Sequence, residues 1–207
     1  MSKKYELIYN PFTRIAGLKS LLFGLAVMLI TSVVAYYSHT RFDGVIDSHG
    51  GGDYAPYYLY LIDALNAWLS VIVVFYPISL FVTKFRSRFI DVAGTFLFAR
   101  VPFIFDAFAT FYLSKSEVNK FLQAVVLKAK VEYTVSTLDW MLFVGTILFL
   151  ILCAVWNIAL NYNAFKINTN LKGAKSAWIF ILGMLLAEII SKIVFYYING
   201  ASTNINL

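Results

Sequence analysis

Five stretches of the chain are almost continuously apolar, at 15–37, 57–81, 90–113, 138–160 and 177–198. Each is near the twenty residues that a helix needs to cross about 30 Å of hydrocarbon. The pattern predicts an all-α membrane protein, a bundle of five transmembrane helices forming one domain over 1–207. The first, fourth and fifth stretches are the strongest; the third is interrupted by Asp91, Arg100, Pro102 and Asp106. The stretch 156–188 orients the rest. An apolar helix closes at Trp156-Asn157, a polar turn carries Lys166, Lys172 and Lys175, and a second apolar helix opens at Ala177-Trp178. This predicts a helical hairpin bent at one membrane surface, its basic turn on the cytoplasmic side.

Between the third and fourth stretches the pattern changes period. Val118, Phe121, Leu122, Val125 and Ala129 fall on one helical face, with Lys115, Glu117, Lys120 and Lys128 around it. That predicts an amphipathic helix on the outer membrane surface or across the bundle mouth. Pro77 and Pro102 are expected to kink their helices. Gly145 and the Gly183–Ala187 region are expected to permit close helix approach, within or between chains.

Composition agrees with lipid as the solvent: 60% of residues are hydrophobic and 14% charged. The net charge of +6 does not point to nucleic acid here, because Lys and Arg in such a chain serve first as topology signals. One set of flanks holds Lys3, Lys4, Arg14, Lys19, Lys84, Arg86, Arg88, Lys166, Lys172 and Lys175; the other holds Arg41, Lys115, Lys120, Lys128 and Lys130. This asymmetry predicts a cytoplasmic N-terminus and a C-terminus outside. Tyr36, Tyr37, Tyr57, Tyr58, Trp140, Tyr196 and Tyr197 would then line the outer interface, and Tyr76, Trp156 and Trp178 the inner one. The apolar run after Lys3 and Lys4 exceeds a signal-peptide core and reads as a retained first helix. Cys153 lies in an apolar run and reads as a small buried hydrophobe.

Chemistry has few footholds. There is no phosphate-binding glycine loop, no G-x-S-x-G and no H-E-x-x-H. The 39–53 loop holds His39, Asp43, Asp47, His49 and Asp53, residue types that a divalent metal accepts. Its triple glycine and irregular spacing favour a solvated turn, and no metal or cofactor is expected.

Charges within the spans are the more informative set, because an ionised group at the bilayer centre costs about 2.5–3.5 kcal/mol. At 1.5 Å per residue, Arg100 and Glu188 both lie about 15 Å above the inner ends of their helices, and Lys192 about one turn higher. Asp106 and Asp63 reach similar heights. Two polar layers are therefore expected, Arg100 with Glu188 and Lys192 with Asp106 or Asp63, with Asn66 and Ser70 extending the face of Asp63. Pairing of Glu188 with Lys192 along one helix is the alternative. Asp91 is expected to pair with Arg88. Such layers either fix helix packing or mark an ion or proton path.

The chain resembles the Yip-domain family of Ypt/Rab-interacting membrane proteins, specifically its small bacterial members. The likeness rests on Asn10-Pro11-Phe12-Thr13-Arg14-Ile15 before the first span, on Phe98-Ala99-Arg100-Val101-Pro102 in the third, and on Trp156-Asn157 in the fourth. Asn170-Leu171-Lys172-Gly173-Ala174-Lys175 before the fifth completes it. The resemblance implies five spans, a bacterial inner membrane and a scaffold or adaptor without enzymatic activity, with the bilayer and other membrane proteins as partners. The long cytosolic N-terminal region of the eukaryotic relatives has no counterpart here, so a Rab-type GTPase is not an expected partner. The alternative is a small transporter or ion- or proton-conducting protein using Arg100, Glu188, Lys192, Asp106 and Asp63. The basic residues Lys84, Arg86, Arg88, Lys166, Lys172 and Lys175 are expected to meet anionic headgroups.

Overall fold

The computed structural model describes residues 8–50, 55–127 and 134–205, with the backbone alone at 49–50 and 199–205. Lys3, Lys4, Asp53, Lys128, Ala129 and Lys130 lie outside the described residues, and the His49 side chain does too. The described residues form helices α1 (Gly17–Ser38), α2 (Tyr57–Val82), α3 (Phe89–Phe98), α4 (Pro102–Lys115), α5 (Glu117–Val126), α6 (Thr137–Thr169) and α7 (Gly173–Ile205). Taking α3 and α4 together, five helical spans are long and apolar enough to cross a membrane. The extended pairing among the described residues is a two-residue antiparallel ladder, Thr40–Arg41 (β1) with His49–Gly50 (β2).

Pro102 does more than kink the third span. It lacks an N–H and its ring would clash with the carbonyl four residues earlier, and α3 stops at Phe98. Ala99, Arg100 and Val101 turn before α4 begins with Pro102. Tight bonds from Arg100 N to Leu97 O (3.1 Å) and from Val101 N to Phe98 O (3.0 Å) hold the corner. Asn157 Nδ2 of α6 donates to Ala99 O at 3.0 Å, which settles a carbonyl that lipid could not satisfy. Pro77, by contrast, lies within a helix that runs through it.

The fourth helix does not close at Trp156-Asn157. It continues through 160 to Thr169 and stops at Asn170, a left-handed C-cap. The polar residues past 157 do not end it, because their amides bond back along the helix: Asn161 to Asn157 O, Asn163 to Ala159 O and Asn168 to Ala164 O. The polar turn is thus only Asn170–Lys172, with Lys166 on α6 and Lys175 on α7.

The bundle is organised around its third span rather than around the α6–α7 hairpin. Of the spanning window in α3–α4, 72% is buried, against 11% for α6. Helix α1 packs along both α3 and α4, α2 pairs with α7, and α6 lies against α3 and α4, touching α7 little. Glycines set the α1–α3 distance: a methyl on Gly24 would fall 2.7 Å from Leu97, and one on Gly94 2.6 Å from Gly17 O. Ser20 Oγ donates across this contact to Gly94 O at 2.9 Å. Gly183 faces Phe75 of α2, so its close approach is within the chain, whereas Gly145 has open space beside it. Phe75 centres the core, stacked on Phe96 at 4.9 Å and edge-on to Phe165 at 5.4 Å.

The segment before α1 is also docked. Trp156 Nε1 donates to Ile8 O at 2.7 Å and Asn163 Nδ2 to Tyr9 O at 2.8 Å. Pro11–Thr13 forms a 3₁₀ turn that buries Phe12 edge-on against Phe98. After α4, Ser116 caps α5 by accepting from Asn119 N. Phe121 and Trp140 join α5 to the start of α6.

Candidate functional site

The charged residues of the spans converge, but on a loop rather than on each other. The chain between α1 and α2 narrows at the β1–β2 ladder, and the residues between the two strands enter the bundle. Phe42, Asp43, Gly44 and Val45 are all buried, where sequence reasoning expected a solvated turn. The apolar side chains Phe42, Val45 and Ile46 explain it: they seal into the helices, Phe42 against Phe103 at 5.0 Å and Val45 within the main core.

An inserted loop brings backbone N–H and C=O groups that must find partners away from water. The intramembrane charges supply them. Glu188 of α7 accepts from Val45 N at 2.6 Å and Ile46 N at 3.1 Å. Arg100, at the corner between α3 and α4, is buried with its guanidinium 4.4 Å over the Phe103 ring; Nη1 points at Val45 O, 3.5 Å away. The expected Arg100–Glu188 layer is therefore split by the Val45 peptide, with one residue on its N–H and the other on its C=O. Gly44 permits this, since a methyl there would sit 2.1 Å from Glu188 Oε1.

The second expected layer is corrected in the same way. Lys192 pairs with neither Asp106 nor Asp63. Its ammonium binds Asp43, and Asp47 at 2.7 Å, both from the loop. Asp63 is instead gripped by two nitrogens of Arg41, one of them 3.1 Å from Oδ1. Arg41 lies between the rings of Tyr60 and Phe195, at 5.5 and 5.1 Å from their centroids. Sequence reasoning had counted Arg41 only as a flank charge. Asp106 accepts from Ser48 Oγ at 2.7 Å. Asn66 donates to Ser191 O and Oγ at 2.9 and 3.2 Å, and Ser191 Oγ to Asp43 O at 3.0 Å, which ties α2, α7 and the loop together.

Around the loop, the described residues place five carboxylates (Asp43, Asp47, Asp63, Asp106 and Glu188) against three cations (Arg41, Arg100 and Lys192). Beside it lies a cavity of about 280 Å³ between α4 and α6, walled by Asp47 and Ser48, by Phe103 and Asp106, and by Ile151 and Cys153 among others.

Of the metal candidates, the side chains of His39, Asp43 and Asp47 are described. Asp43 and Asp47 are engaged by Lys192, and His39 is the left-handed C-cap of α1. Among the described residues, no group of three or more His, Cys, Asp or Glu is placed to hold a metal ion.

The six basic residues expected to meet headgroups do gather at the end of the bundle that carries the α2–α3 and α6–α7 turns. Arg86 and Arg88 line a polar groove of about 430 Å³ with Thr83, Asp91, Asn168 and Asn170. Lys84 is exposed in a left-handed turn conformation, Lys166 lies over the Tyr162 ring at 5.4 Å, and Lys172 and Lys175 are exposed. Asp91 forms no ion pair with Arg88; its amide and carboxyl lie at the start of α3, the carboxyl beside Gly17.

No protein-family model, curated protein or solved structure matches the chain. These comparisons neither support nor oppose the Yip-like resemblance.

Proposed function

We propose that the protein is a multi-pass membrane scaffold or adaptor of the Yip-like type, without catalytic activity of its own. The observation that carries this reading is the use made of the charges. Glu188, Lys192, Asp63 and Asn66 are committed to fixing one loop and its neighbouring helices inside the bundle. Groups held this way fix the packing of the helices around the loop, the use a scaffold makes of them. The anchors of the resemblance also make specific contacts: Phe12 with Phe98, the Pro102 corner with Asn157, and Trp156 with Ile8.

In this reading the N-terminus lies in the cytoplasm and the C-terminus outside, as the basic flanks favour. Helix α5 then rests on the outer surface, and the groove of Arg86 and Arg88 faces anionic headgroups of a bacterial inner membrane. Partners are other membrane proteins rather than nucleic acid or a Rab-type GTPase. The alternative, a small transporter or ion- or proton-conducting protein, draws on one observation, the cavity beside Asp106.

Crosslinking in native membranes, followed by identification of what co-purifies, tests the adaptor reading: a reproducible set of membrane proteins is expected. Solute or proton flux in reconstituted vesicles that disappears with Asp106→Asn, without loss of fold, would replace the adaptor with the transporter.

A further inference from the structure

The cavity between α4 and α6 is not explained by the packing of the loop. Its floor is Asp106, 9% exposed, with one oxygen on Ser48 and, among the described residues, no basic group within ion-pair distance. Arg100 is engaged elsewhere, with the Phe103 ring and Val45 O. Lys192 is shared by Asp43 and Asp47. Of the two carboxylates that line the cavity, Asp47 is held by Lys192, and Asp106 is the one that no cation among the described residues engages. An isolated carboxylate at this depth is stable only with a proton or a cation beside it.

The walls decide what kind of cation. Besides Asp106, Asp47, Ser48 and Asn157, whose amide is spent on Ala99 O, the lining includes Ile46, Pro102, Phe103, Leu150, Ile151 and Ala154, a largely apolar surface. Ile151 is exposed on the bundle surface, so the cavity reaches the side of the helices that lipid covers. A metal ion needs several ligating side chains, and the described residues gather none such here. A volume near 280 Å³ stands at the lower end of pockets that hold small organic molecules. We propose that this cavity binds a protonated amine on a small apolar body, its ammonium group on Asp106 and its hydrocarbon against Phe103, Leu150 and Ile151. Ser48 Oγ, which donates to Asp106, keeps a lone pair with which to accept from the ammonium. The site stands apart from the adaptor reading, since it depends on none of that reading's partners.

Cys153 supplies the test. It is the chain's single cysteine and part of the cavity wall. The full chain in phosphatidylcholine nanodiscs is treated with 2-aminoethyl methanethiosulfonate or with its 2-sulfonatoethyl counterpart. Modification of Cys153 is followed by mass spectrometry, each rate being divided by that of free cysteine. The cationic reagent is expected to react about tenfold faster, the order of effect of one unpaired carboxylate at moderate polarity. Millimolar 2-phenylethylamine should slow the reaction, and 2-phenylethanol, of the same shape without the charge, should not. Asp106→Asn should bring the two reagent rates together. Equal rates in the unaltered chain, equal protection by the alcohol, or no modification of Cys153 by either reagent would overturn the proposal. The comparison of amine with alcohol is made on the unaltered chain, so it decides the matter even if the variant fails to fold.

Discussion

The third and fourth spans are opposites. The third is the least apolar of the five and the most enclosed, and the fourth is the most apolar and the least enclosed. In a water-soluble protein the order would be reversed, because there apolar surface is driven inward. With lipid as solvent, a leucine is as well placed outside as inside. Helix contact is then governed by small residues, close packing and polar groups that hydrocarbon rejects. Of the interruptions that weaken the third span as a hydropathy signal (Asp91, Arg100, Pro102 and Asp106), Arg100 and Pro102 sit at the buried corner and Asp106 meets the loop. Gly94 beside them admits α1. The lesson is that in such a chain polarity marks the interior.

The largest contrast should come from truncating one phenylalanine in each span. Phe96→Ala removes a ring 1% exposed and stacked on Phe75 and should cost about 3–5 kcal/mol. Phe149→Ala, on the open face of α6 and 44% exposed, should cost well under 1 kcal/mol, since lipid fills the space. Unfolding titrations in mixed micelles compare the two; similar losses would erase the distinction.

Next is the loop held by the charges. Glu188→Leu leaves Val45 and Ile46 N–H without an acceptor, at about 1–3 kcal/mol for each orphan donor. Adding Arg100→Leu should restore little, because those donors stay orphaned. A double variant that recovers most of the loss would show Arg100 and Glu188 acting as a simple ion pair. Smaller again is the contrast of two glycines. Gly44→Ala must displace Glu188 and should destabilise by about 1–3 kcal/mol. Gly145→Ala meets nothing and should be neutral or slightly stabilising, as alanine is in a helix. Loss of stability from Gly145→Ala would instead point to a contact with a second copy on α6.

The five spans were legible because apolar length reports directly on membrane crossing. The residue counts also put Arg100 and Glu188 at matching heights, and the two do meet, on the Val45 peptide. The partners themselves were not legible. Residue counting assigns heights to helices and has no term for a loop that re-enters, so Arg41, Asp43, Asp47 and Ser48 were left outside the network. One signal was present: Phe42, Val45 and Ile46 are apolar residues in a stretch read as solvated, and Gly44 between them marks a tight fit. The fourth helix ran past its expected end for a related reason. Asn161, Asn163 and Asn168 read as a polar turn in sequence, yet each can satisfy itself on the carbonyl one turn back.

The account rests on the loop after α1 being inserted between the helices, and accessibility at Val45 tests this most directly. With Cys153→Ala as background, Val45→Cys and Tyr58→Cys are each treated with a membrane-impermeant maleimide in sealed vesicles of the orientation that exposes the loop. Val45 is 1% exposed and Tyr58 56%, so the thiol at 45 should react at least about tenfold more slowly, and Glu188→Leu should speed it. Labelling at 45 as fast as at 58 would contradict the account.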